Sequence, residues 1–169
     1  MSARKFLPLR IGVLTVSDTR TEVDDKSGAL VAETLAQVGH IIVARRIVQD
    51  DIEEIRQAFE SWRNTESLQV VVVTGGTGIT SRDVTVEAFA PLVSKQIPGF
   101  GELFRWLSYE EIGASTIQSR AFAGLCGSIL LFALPGSTAA VRLALERIIV
   151  PQLDHRTAPC NFAMLLPRL

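Results

Sequence analysis

Short apolar runs alternating with amphipathic stretches constrain this 169-residue chain more than any other feature. The runs "LRIGVLTVS" (9–17), "HIIVARRIV" (40–48), "QVVVVT" (69–74) and "SILLFAL" (128–134) carry the β-branched and apolar residues that strands favour. "QVVVVT" and "SILLFAL" are apolar nearly throughout, as strands covered on both faces are. Between the runs the period changes. From Gly28 to about Val38, Leu30, Thr34, Leu35 and Val38 share one helical face, with Ser27 as the cap and Gly39 as the stop. Asp50 or Asp51 caps the next helix, where Ile52, Ile55, Phe59 and Trp62 recur at steps of three and four. Further helix is expected around 84–94, from Gly101 to Glu111 after a turn at Pro98-Gly99, and near 115–124. A last helix follows Ser137, with Val141, Leu145 and Ile148 on one side. Strand–helix alternation predicts an α/β three-layer sandwich with a mainly parallel sheet and right-handed crossovers. With no linker, repeat or low-complexity tract, residues 1–169 read as a single domain.

Composition removes several function classes. The formal net charge is −1 and no basic stripe is visible, so a nucleic-acid partner is not expected. No apolar run approaches the length of a membrane span. The start, "MSARKFLPLR", is basic but lacks the apolar core of a signal peptide, which points to a cytoplasmic protein. Cys126 and Cys160 stand far apart and in no metal-ligand spacing, so free thiols are expected. His40 and His155 are equally isolated, a poor basis for zinc or for a Ser/His/Asp triad. The apolar tail "DHRTAPCNFAMLLPRL" is expected to pack on the body or on a neighbouring subunit.

In parallel α/β sheets, ligands bind beyond the carboxyl ends of the strands. Three such ends here are small, polar or glycine-rich: "TVSDT", "VTGGTG" and "LPGST". Gly75, Gly76 and Gly78 place no side chain in a ligand's way and let backbone N–H groups converge on an anion. Thr74 and Thr77 add hydroxyls. The loop is not a Walker motif, because no lysine follows, nor a dinucleotide fingerprint. By itself the loop is weak evidence, and a tight strand-to-helix turn is the alternative reading. Pro135 and Gly136 turn the chain again, and Ser137 either caps a helix or reaches a phosphate. Asp83, Asp50 and Asp51 read as helix caps or, beside a phosphate-cradling loop, as holders of Mg²⁺. The charged stretch "DTRTEVDDK" (18–26) reads as a solvated loop or a flap over the site. Arg105, Trp106, Tyr109, Glu110 and Glu111 suit a subunit interface or a pocket for a flat heterocycle.

The stretches "RIGVLTVSDTR…DDKSG", "VVVTGGTGITSRDVTVEA", "IPGFGELFRWLS", "SRAFAG" and "LPGSTAAV" together resemble the MoaB/MogA family of molybdenum cofactor biosynthesis. The match runs in order through nearly the whole chain, and "RWLSYEEIG" and "APCNF" are similar to the MoaB branch. The resemblance implies a molybdopterin-binding fold in a homo-oligomer, trimer or hexamer. It also implies adenylylation of molybdopterin by ATP with release of pyrophosphate, alongside other enzymes of the pathway. A non-catalytic molybdopterin carrier is the alternative. Carried over residue by residue, the family's aspartates match Asp83 and Asp50, as catalytic groups and Mg²⁺ ligands. Its substrate-binding positions match Ser17, Asp18, Gly75, Gly76, Thr77, Gly78, Gly136 and Ser137. Ser81 and Val86 stand where similar sequences often have proline, and Gln49 stands in the position before Asp50 that is also often proline.

Overall fold

In the computed structural model of the chain, which describes residues 5–63 and 68–169, the apolar runs pair into one sheet. Met1 to Arg4, the first part of the basic start, lie outside the described residues. Strands β1 (Arg10–Val16), β2 (Ile41–Val48), β3 (Val70–Thr74), β4 (Lys95–Gln96), β5 (Phe122–Cys126) and β6 (Ile129–Leu134) lie in the order β2-β1-β3-β6-β5-β4. The pairings from β2 through β6 are parallel, and β5 and β4 add an antiparallel edge. The expected mainly parallel α/β architecture is therefore observed. Helices α1 (Lys26–Gln37), α2 (Ile52–Arg63), α3 (Thr85–Phe89), α4 (Pro98–Ile112), α5 (Thr138–Ala144) and α6 (Val150–Leu153) connect or flank the strands. A 3-10 turn spans Gly113–Gln118, and a π turn, Leu145–Ile149, joins α5 to α6.

Because strand side chains alternate, the sheet has two apolar faces. Ile11, Val13, Val70, Val72, Leu130 and Phe132 pack with Val31 and Leu35 of α1, Phe104 of α4 and Val141 of α5. Leu14, Val71, Val73 and Leu131 face the other way, onto Ile55 and Phe59 of α2 and Phe89 of α3. Phe59 and Phe89 meet edge to face at 5.4 Å between ring centroids. Two covered faces explain why β3 and β6 show no polar alternation. The C-terminal tail packs on its own body: Ala163 and Leu166 are buried, and the Phe162 ring lies 6.0 Å from Phe132.

Several expectations are corrected. Helix α1 is capped by Asp25, whose carboxylate accepts from the Gly28 amide at 2.9 Å; Ser27 instead lies inside the helix. The buried face of α1 is Ser27, Gly28, Val31 and Leu35, one position off the face that counts Val38, which is exposed. The helix expected over 84–94 stops at Phe89; Ala90 still has helical dihedrals, but Pro91 has no amide hydrogen with which to continue the ladder. Pro98 starts α4 as its first residue rather than preceding it in a turn. The helix expected near 115–124 is a 3-10 turn followed by β5. β5 and β6 form a hairpin in which Cys126 faces Ile129 across Gly127-Ser128, with Gly127 at φ 65°. A glycine first in a two-residue connection is a hairpin signal, and it was legible in "CGSI". Cys126 and Cys160 are both free thiols. Among the described residues no helix is long and apolar enough to cross a membrane.

Candidate functional site

The carboxyl ends of β1, β3 and β6 open into a polar cleft of about 460 Å³, lined by Ser17, Asp50, Gly75, Gly76, Asp83 and Ser137 among others. The three small or glycine-rich strand ends thus converge as the sequence implies. Gly75 and Gly76 hold φ of 103° and 63°. A side chain at Gly75 would run into the Val16 carbonyl oxygen at 2.1 Å, so only glycine lets β1 and β3 end this close together. The loop is then tied down: the Gly75 amide donates to the Leu134 carbonyl at 2.9 Å, and the Thr85 hydroxyl donates to the Gly75 carbonyl at 2.8 Å. Thr74 donates to the Pro135 carbonyl at 3.1 Å, so its hydroxyl is spent on the fold. Ser137 caps α5 by accepting from the Ala140 amide at 3.3 Å and still lines the cleft.

The floor rests on Asp25, which the sequence reading did not single out, and on Ser27, which it took as a cap. Asp25 is buried and also accepts from the Thr15 hydroxyl at 2.8 Å and from Arg45 at 2.9 Å. Ser27, the second residue of α1, donates to the Gly136 carbonyl at 2.8 Å. Together they join α1 to β1 and to the β6–α5 loop. Asp25 was hidden because an acidic residue in the run "DTRTEVDDK" looks solvated.

Asp51 accepts from the Glu53 and Glu54 amides at 2.9 and 3.0 Å, and this cap leaves Asp50 free to face the cleft. The Asp50 carboxylate accepts from the Asp18 amide and its own amide donates to the Asp18 carboxylate, both at 3.1 Å. Arg82 binds the second Asp18 oxygen. Asp83 accepts from the Thr80 amide at 2.9 Å and the Thr80 hydroxyl at 2.6 Å. Thr77 and Gly78 turn away from this cleft and line a neighbouring pocket of about 220 Å³ with Phe104, Ser108, Ile112 and Ser119. Asp18 lies in an outer bay with Arg20 and Arg46. Trp106 and Tyr109 are exposed, while Arg105 donates to the Ser119 and Ala121 carbonyls; α4 instead turns Phe104, Ser108 and Ile112 toward the pocket.

The carboxyls differ electrostatically. Burial, followed by the charges of Asp18 and Asp83, pushes Asp50 above the ordinary carboxylate range. Arg82, with help from the Asp50 amide, holds Asp18 below it. At Asp83, burial pushes upward, but the Thr80 hydroxyl and amide and the Gly78 amide bring the carboxyl below its usual value. The charge of Asp83 thus works against ionisation of Asp50, which lies beside Gly76, while Asp83 itself lies beside Gly78. Asp50 Oδ1 carries no hydrogen bond among the described residues, and a Cβ on Gly76 would lie 3.1 Å from it. No group of three or more His, Cys, Asp or Glu stands together as a metal centre among the described residues. The arrangement fits a hard cation held by one or two carboxylates and completed by water and substrate phosphate, which is how Mg²⁺ is usually bound.

Comparison with known proteins matches residues 12–155 to the family described as "Probable molybdopterin binding domain". The chain is 50% identical over 158 residues to molybdenum cofactor biosynthesis protein B of Escherichia coli strain K12, covering 94% of this chain and 93% of that protein. A crystal structure of a molybdenum cofactor biosynthesis protein B superposes with a TM-score of 0.87 at 45% identity, over 100% of both chains. The tungsten cofactor synthesizing protein MoaB of Pyrococcus furiosus superposes with a TM-score of 0.78 at 43% identity, over 85% of this chain and 91% of that one.

Proposed function

This chain belongs to the MoaB/MogA family of molybdenum cofactor biosynthesis proteins, and from that premise we propose that its cleft adenylylates molybdopterin with ATP. A phosphate oxygen of molybdopterin attacks the α-phosphorus of ATP. The bond from that phosphorus to the bridging oxygen breaks, and pyrophosphate leaves. The nucleophile is already ionised near neutral pH, so no histidine or serine base is needed, and neither His40 nor His155 lines the cleft. What the protein supplies is position and charge neutralisation.

The observation that carries this reading is the pair of carboxyls lining the cleft and flanking the glycine loop, Asp50 beside Gly76 and Asp83 beside Gly78. A glycine-lined cleft alone is enough to bind a phosphate. Two repelling carboxylates beside it are costly for anion binding unless a cation joins them. When bound by Asp50, Asp83 and substrate phosphate, Mg²⁺ would lower the repulsion between the two anions and stabilise the leaving pyrophosphate. Gly75, Gly76 and Gly136 admit phosphate close to the backbone, and Ser17 and Ser137 offer hydroxyls. Thr77 and Gly78, in the smaller apolar pocket with its rim of hydroxyls, suit a flat heterocycle. Leu103, Trp106, Tyr109, Ile112 and Ile117 leave an exposed apolar face on α4 and the following turn, which supports assembly into a homo-oligomer.

Purified protein incubated with molybdopterin, ATP and Mg²⁺ tests the reading by chromatography of the products. Adenylylated molybdopterin from the wild type but not from Asp83→Asn is expected. Bound pterin with no product from either would leave a molybdopterin carrier.

A further inference from the structure

Arg120 lies between the 3-10 turn and β5, 42 positions along the chain from Gly78. Its guanidinium reaches back to the loop that carries Asp83. Nε donates to the Gly78 carbonyl at 2.6 Å and an Nη donates to the Asp83 carbonyl at 2.8 Å. Glu87 binds the same guanidinium through both carboxylate oxygens. The Arg120 main-chain amide donates to the Thr77 carbonyl at 2.9 Å. The loop is thus held before the turn, at Asp83 itself and on the helix that follows.

Bidentate donation by a planar guanidinium fixes both distance and direction between two acceptors, which an ammonium cannot do. Ser81 and Val86 leave this loop without the stiffening that proline would give. Another source of rigidity is therefore needed if the Asp83 carboxylate is to hold one place. We infer that Arg120 is the positioning residue for Asp83, setting its carboxylate in the cleft through the Gly78 and Asp83 carbonyls. This rests on the proposed role of Asp83 as a cation ligand. Among the described residues the Arg120 side chain makes no hydrogen bond to the Asp83 carboxylate; it holds the residue through the backbone, and its charge adds to what keeps the carboxyl low.

The test compares wild type, Arg120→Gln, Arg120→Lys and Glu87→Gln as full chains. Mn²⁺ binding in the presence of ATP is followed by the resonance of the free ion, and hydrogen exchange is measured at the Thr80 amide, which Asp83 accepts. Arg120→Gln is expected to weaken Mn²⁺ binding by about 10- to 100-fold, the usual cost of losing an outer support of a metal ligand. Arg120→Lys recovers part of this, Glu87→Gln loses less, and kcat falls while KM for ATP stays. Thr80 exchange accelerates while the amides of β3 stay protected. Unchanged Mn²⁺ affinity and unchanged Thr80 protection in Arg120→Gln overturn the inference. So does loss of β3 protection in both Arg120→Gln and Glu87→Gln, which would make the network a general support of the sheet. If the wild type binds no Mn²⁺ with ATP, the cation reading of the site fails, and Thr80 exchange alone decides whether Arg120 sets the loop.

Discussion

Asp18 and Asp50 exchange hydrogen bonds, each main-chain amide donating to the other's carboxylate at 3.1 Å. This reciprocal pair ties the end of β1 to the end of β2 and aims the spare oxygen of Asp50 into the cleft. An asparagine at position 50 can still accept from the Asp18 amide but carries no charge. Asp50→Asn is therefore expected to keep the fold, with a thermal midpoint equal to or above that of the wild type, because a repelled carboxylate is removed. Its rate of product formation should fall by at least about 100-fold, close to 3 kcal/mol of transition-state stabilisation. Paired calorimetry and turnover assays check this; a large loss of stability would show that the charge serves the fold.

The glycine loop predicts a rank order for alanine substitution. At Gly75 a Cβ meets a backbone oxygen at 2.1 Å, and at Gly76 it meets the Thr85 hydroxyl at 2.3 Å. At Gly99 it meets nothing within 4 Å. Gly75→Ala should be the most destabilising, because the backbone cannot step aside. Gly76→Ala should cost at least about 1–2 kcal/mol from its left-handed backbone alone. Gly99→Ala, in the first turn of α4, should be neutral or slightly stabilising. Urea unfolding midpoints decide the order.

His40 sets a pH dependence far from the cleft. It is buried, and its Nδ1 accepts from the Leu9 amide at 3.1 Å, which requires the neutral ring. Burial lowers its pKa below 6.5, with Asp154 opposing. The Phe6 ring packs 5.0 Å away, and Arg156 stacks on that ring. In the unfolded chain the imidazole takes a proton near pH 6.5, while the folded chain resists until lower pH. The contribution is thus complete above about pH 6.5 and is lost as pH falls through the folded value. Urea midpoints measured from pH 8 downward should decline below that point, and His40→Gln should flatten the decline. Equal slopes in both proteins would assign the effect elsewhere.

Trp106 is 67% exposed and Ile117 80% exposed, a poor arrangement for a lone subunit in water. In sedimentation velocity the wild type is expected as a trimer or hexamer, and Trp106→Glu as smaller species that still fold. A monomeric wild type would remove the proposed assembly.

The central sheet was legible because its strands are buried on both faces and so read as Val, Ile and Leu runs. The edge was not. β5 reads "FAGLC", with Gly124 present because Val93 would lie 2.7 Å from a Cβ there, and small residues carry no strand period. In the cleft, Asp50, Gly75, Gly76 and Gly136 were legible because they sit just past strand ends, where local pattern and topology agree, whereas Gly78 faces the neighbouring pocket. Asp25 and Arg120 were not, because their roles depend on partners brought together only by the fold: Arg45 from β2 for the first, Gly78 and Asp83 for the second. A local pattern cannot show which solvated-looking charge becomes a buried brace.

The most direct measurement follows the fate of ATP radiolabelled at its α-phosphorus, incubated with the protein, Mg²⁺ and molybdopterin. The account predicts label in the pterin fraction, unlabelled pyrophosphate in equal amount, and neither from Asp83→Asn. Label that stays in ATP, or leaves as ADP, while molybdopterin is bound would contradict it.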